Sequence, residues 1–172
     1  ATSAAWAATN LHTSMRRLDY LVTTAATTAV AGFRGGAQQY WRGNAAGRGG
    51  FLLVCRWAPA TGVAVPTSRA FCGLRALTGA PTDINPSTMT NIIGMGWDSA
   101  DTNVQMIRND GGGVASKIDL GAAFPRPVAD RTAVYEVMLF APPNAAEVQY
   151  EVTDLVAGAV ATQPAASASW SA

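Results

Sequence analysis

The feature that most narrows the possible folds is a run of short apolar segments, rich in β-branched and aromatic residues and each ended by Gly, Pro, Asn or Asp. Helical spacing of apolar residues is nearly missing from Leu18 onward, so strands must supply the core. The pattern predicts strands over 18–23, 38–42, 51–58, 69–77, 90–97, 103–109, 115–120, 133–141 and 147–155, with a last short one ending near Trp170. In the third of these, Phe51, Leu53, Cys55 and Trp57 share one face, and Leu52, Val54 and Arg56 share the other. Both rows are mostly apolar, which predicts a central strand covered by an opposing sheet on one side and by a neighbouring chain or segment on the other. The short links Asp98-Ser99-Ala100-Asp101 and Asn109-Asp110-Gly111-Gly112-Gly113 make 90–120 a three-stranded antiparallel meander. About ten short strands at such spacing favour an all-β antiparallel sandwich.

At 172 residues the chain can bury one good core, so residues 18–172 are expected to form a single domain behind an extended lead-in over 1–17. The stretch 79–89, with Pro81, Asp83, Asn85 and Pro86, predicts a long ordered loop with one helical turn near Pro86 to Met89. Loops of that length act as functional elements or structural lids. Ala1 opens the chain in place of Met, so a processed or excised piece of a longer polypeptide is the expectation.

Charged residues are 13% of the sequence, against roughly 25% in ordinary soluble proteins. A surface polar by hydroxyl and amide repels copies of itself weakly, which suits a face covered by sister chains. The net charge is +1, and the arginines are scattered, which argues against a nucleic-acid partner. No apolar run approaches the ~18 residues of a membrane span, and no signal-peptide pattern opens the chain, so a soluble protein without membrane insertion is expected.

Cofactor-free, non-catalytic function is the expectation from the chemistry available. His12 is the single histidine, and it lies in the weakly patterned lead-in, where it can scarcely serve a catalytic triad. Multi-imidazole metal sites are excluded. Cys55 and Cys72 lie within apolar segments; they read as free buried thiols, with a cross-strand bridge as the alternative. Asp98 and Asp101 share one tight turn, where Asp bonds its own backbone; a cation or sugar contact is the functional alternative. Glu136 reads as a salt-bridged strand residue. The glycine runs precede no helix and read as turns, not phosphate cradles. Most strand aromatics are core, but Trp41, followed by Arg42, Gly43 and Asn44, is the aromatic best placed for a sugar-stacking surface role. The candidate ligand-contacting set is thus Trp41, Arg42, Asn44, Asp98, Asp101, Asn103, Asn109 and Asp110.

An ordered series of phrases adds a family likeness. Tyr40-Trp41-Arg42-Gly43-Asn44-Ala45-Ala46-Gly47, Gly49-Gly50-Phe51, Arg69-Ala70-Phe71, Gly73-Leu74, Asn85-Pro86-Ser87 and Thr90-Asn91-Ile92-Ile93-Gly94 come first. Asp98 to Asn103, Asn109-Asp110-Gly111, Lys117-Ile118-Asp119-Leu120-Gly121, Tyr135-Glu136 and Leu139 to Asn144 follow. Together with the lead-in Thr13-Ser14-Met15-Arg16-Arg17, they resemble a domain found at the C-terminal ends of bacteriophage tail fibres. The resemblance implies a jelly-roll or concanavalin-like lectin sandwich, a homotrimeric fibre end, residence in the virion after synthesis in the bacterial cytoplasm, and attachment to host polysaccharide. Other virion proteins would be its structural partners. Two competing readings are a decoration protein that binds only other capsid or tail proteins, and a tailspike-type glycan hydrolase with two facing acids.

Overall fold

The computed structural model describes residues 2–4, 17–20, 28–35, 40–59, 66–76, 79, 82–113 and 115–165. Ten strands appear in chain order: β1 (Thr2–Ala4), β2 (Arg17–Asp19), β3 (Phe51–Trp57), β4 (Ala70–Arg75), β5 (Ile92–Trp97), β6 (Gln105–Asn109), β7 (Ser116–Asp119), β8 (Tyr135–Ala141), β9 (Val148–Asp154) and β10 (Val160–Ala165). One 3-10 turn, Pro86–Thr88, lies before β5. β1 and β2 pair as a separate ribbon, while the others form two four-stranded sheets ordered β10-β9-β8-β3 and β4-β5-β6-β7. Every pairing is antiparallel. The chain is therefore an all-β sandwich, and the meander expected over 90–120 is β5-β6-β7.

Period-two alternation gives β3, β7, β8 and β9 a buried and a more exposed row, and the inner rows of the two sheets meet. On β8, Tyr135, Val137, Leu139 and Ala141 are buried; on β9, so are Val148, Tyr150 and Val152. They pack with Ile93, Met95 and Trp97 of β5, Met106 of β6, and Val104 and Phe124 from the connections. Burying a side chain such as Leu139 stabilises the fold by about 1.5–3 kcal/mol. At one end Trp57 of β3 stacks on Trp97 of the opposite sheet, centroids 5.7 Å apart and planes 24° apart, and also meets Tyr135.

Several expectations need correction. β3 is an edge strand, paired only with β8, not a central one. Its outer residues Leu52 and Val54 are 58% and 52% exposed. The strand buried on both faces is β5, every residue of which is buried. The cause is local: Gly94 and Gly96 leave the outer row of β5 shallow, and the 3-10 turn with buried Pro86 packs there. Residues 40–42 form no strand but the start of a turn-rich loop, whose backbone bonds run to its own turns and to Asn144. The final described strand, β10, lies nearer to β9 than the last short strand expected to end near Trp170; Trp170, His12 and residues 21–23 and 38–39 of the expected strands lie outside the described residues.

Gly73 faces Gly94 across the β4–β5 pair, and a Cβ on Gly94 would overlap the Cys72 carbonyl oxygen. Gly94→Ala should therefore push the two strands apart and cost about 1–3 kcal/mol. Urea unfolding would register this as a lower midpoint, whereas Gly113→Ala, with nothing within 4 Å of the new methyl, should stay close to wild type.

Candidate functional site

The turn after β5 gathers two acids around one cation. Asp98 N–H donates to Asp101 Oδ2 at 2.8 Å, and Asp101 N–H returns to the Asp98 carbonyl at 3.2 Å, so the turn is closed by its own aspartates. Lys117, opposite Ile107 on the outer row of β7, donates from Nζ to Asp98 Oδ2 at 2.9 Å and to both Asp101 oxygens at 2.5 and 2.6 Å. The second Asp98 oxygen accepts Ser87 N–H at 3.0 Å, and Asn109 Nδ2 donates to the Ser87 carbonyl at 3.4 Å. Asn85 Oδ1 accepts from Ser99 N–H and from Arg69 Nε, and Arg69 also pairs with Asp83. The 83–88 segment is thus bound down onto the sheet from both of its ends.

The electrostatics follow from this geometry. Burial pushes the Asp98 carboxyl up, but hydrogen bonds from Lys117 and Ser87 and the nearby ammonium charge outweigh it, leaving the group below the usual carboxylate range. Burial pushes Lys117 down, and the bonds and charges of Asp101 and Asp98 outweigh that, leaving it above the usual lysine value. Arg126 ties the same turn to the chain before β4. Its guanidinium donates to the carbonyls of Ser99 at 3.0 Å and Pro66 at 2.7 Å, and to Ser68 Oγ at 3.0 Å.

Most of the polar candidates are therefore occupied by the protein itself. Asn103 Nδ2 donates to Asp119 at 3.0 and 3.2 Å. That carboxylate is held below its usual range chiefly by the Gly121 N–H. Asn109 Oδ1 accepts Gly111 N–H at 2.8 Å, and Asp110 Oδ1 accepts Gly112 N–H at 2.9 Å, the turn chemistry that Asn and Asp favour. Lys117 and Arg126 were missed by sequence reasoning. The only available signal was that Lys117 is the single lysine among the 12 basic residues.

Trp41, Arg42 and Asn44 form a second, separate group. β3 runs from Phe51, beside their loop, to Trp57, which stacks on Trp97 next to Asp98, so the two groups sit at opposite ends of the sandwich. The Arg42 carbonyl accepts from Gly50 N–H at 2.9 Å and Asn144 N–H at 2.8 Å, docking the loop on the β8–β9 turn. Gly43 and Gly49 make this possible: both have left-handed φ, 101° and 81°, and a Cβ on either would overlap loop backbone. Trp41 is 51% exposed, Asn44 is exposed, and Arg42 is half-buried. Beside the turn lies a shallow open depression lined by Pro142, Ala145, Ala146, Glu147 and Gln149. An exposed indole and, in the depression, the carboxylate of Glu147 and the amide of Gln149 are the kinds of group that contact a sugar ring.

Among the described residues no three His, Cys, Asp or Glu side chains gather as a metal site would require. No family model, curated protein or solved structure matches the chain.

Asp98 is more acidic folded than unfolded, so its stabilisation is present above about pH 4 and is lost as pH falls through its folded value. Lys117 is more basic folded, so its stabilisation is present below about pH 10 and is lost as pH rises through its folded value. Lys117→Met strands two acids together and should cost about 1–3 kcal/mol at neutral pH. It should also move the acid unfolding midpoint upward, which circular dichroism across a pH series would detect.

Proposed function

We propose that the chain is a distal domain of a bacteriophage tail fibre, assembled as a homotrimer with other virion proteins and attaching to host surface polysaccharide. The observation that carries this reading is the outward face of β3 and β8. Leu52 pairs with Phe140 and Val54 with Met138 across the two strands, placing four apolar side chains side by side on the outer surface. Leu52, Val54 and Phe140 are 58%, 52% and 37% exposed, and Val160 of β10 adds to the same face. Charge enters this face at its border, from the Arg56–Glu136 ion pair at one end of the stripe and from Glu151 of β9, which stands opposite Met138. Contiguous apolar surface of that kind marks an interface. Closed symmetric association hides it once per subunit.

The glycan contact belongs to the opposite functional element, the Trp41 loop. Three copies of a weak ring-stacking site give avidity that a single site lacks. The lectin-like character proposed for the domain thus resides in this loop and the neighbouring depression. A glycan hydrolase would need two acids facing a substrate, whereas the acid pair after β5 is bound to Lys117.

Sedimentation velocity at micromolar concentration should give trimers for wild type and monomers for a Leu52→Glu, Val54→Glu variant that keeps its β spectrum. A wild-type monomer would remove the fibre reading. On a glycan array, Trp41→Ala should reduce binding at least tenfold without changing the oligomer. Wild-type protein that binds virion proteins and no glycan would instead identify a decoration protein.

A further inference from the structure

We infer that Cys55 and Cys72 form a reversible disulfide that staples the two sheets together along their open edge. This inference rests on the fold alone and is independent of the attachment reading. β3 and β4 are edge strands of different sheets, so the sandwich has one side where neither sheet offers its neighbour a hydrogen-bonded partner. Cys55 stands opposite Val137 on the inner row of β3, and Cys72 opposite Met95 on the inner row of β4. The two rows turn these side chains toward each other, and the sulfurs lie 3.1 Å apart. A disulfide needs about 2.05 Å, so closure asks for about 1 Å of side-chain movement and no change of register.

Either sulfur can be the donor in this contact, and both residues are half-buried, so a small reagent can reach either one. The exchange is the same whichever thiol attacks first, and is given for Cys55. The oxidant is a low-molecular-weight disulfide such as oxidised glutathione. The Cys55 thiolate attacks one of its sulfurs, breaking that S–S bond and releasing a glutathione thiolate, which takes up the Cys55 proton. Cys72 then gives up its proton and attacks the Cys55 sulfur of the mixed disulfide, forming the Cys55–Cys72 bond. The second glutathione leaves and takes that proton. Two protein thiols are oxidised and one glutathione disulfide is reduced, and excess reduced glutathione reverses both steps.

The test uses the full chain, reduced, then equilibrated with oxidised glutathione and quenched with iodoacetamide. Expected are a mass lower by two hydrogens, no alkylation, one cross-linked peptide containing both cysteines, and a thermal midpoint higher by about 5–10 °C than in the reduced chain. Two alkylated cysteines, two glutathione adducts, or disulfide-linked dimers would overturn the inference. Cys72→Ser removes the resolving thiol and should accumulate one glutathione on Cys55. Absence of that adduct would count against thiol–disulfide exchange at this pair.

Discussion

The structure depends on one contact, the packing of the inner row of β5 against that of β8. Each strand is the middle of its sheet's apolar load, and Met95, Trp97, Val137 and Leu139 are fully buried between them. The remaining strands are positioned by hydrogen-bond register from these two, so a slip of one residue in either would turn its buried row to solvent. Trp57 reinforces the contact from the edge by laying its ring on Trp97 across the gap. Both indole N–H groups are buried with no acceptor among the described residues, a cost that the burial of the two large rings has to offset.

Much of this was legible in the residues, because alternation is a local property. Seven of the expected strand positions, from β3 to β9, correspond to observed strands. What alternation cannot convey is who covers an outer row. Leu52 and Val54 promised a cover that the described residues do not provide, while the outer row of β5 is covered by the chain's own 3-10 turn. The difference lies in Gly94 and Gly96, two residues too small to register in an apolar pattern. The same limit applied to the polar candidates. Asp98 and Asp101 are three positions apart and read as a pair, but Lys117 reaches them from a strand 16 or more positions away. Pairing of that range depends on register across β6 and β7, which local spacing does not encode.

The two sheets therefore treat their outer faces in opposite ways. On the β4-to-β7 sheet, Gln105, Ile107 and Asn109 of β6 are buried beneath the 83–88 segment, and Asp98, Asn85 and Asn109 hold that segment through its backbone and side chains. On the other sheet, Leu52, Val54 and Phe140 lie bare beside Met138. The side-chain clamps on backbone therefore gather on the first sheet, where there is a loop to hold, while the second carries an apolar patch on β3 and β8 bordered by Arg56, Glu136 and Glu151.

That division explains how a chain with so little charge remains specific. Lys117 neutralises two carboxylates, Arg69 engages Asn85 and Asp83, and Arg126 collects acceptors from two separate segments. These cations are placed for crosslinking, and little of their charge is left to repel another copy. In the association proposed above, a surface built from Leu52, Val54, Met138 and Phe140 would carry charge only at its border, from the Arg56–Glu136 pair and from Glu151 opposite Met138. Low charge and an exposed apolar face would in that association act as a single property: the first would allow the second to bring copies together without steering them apart.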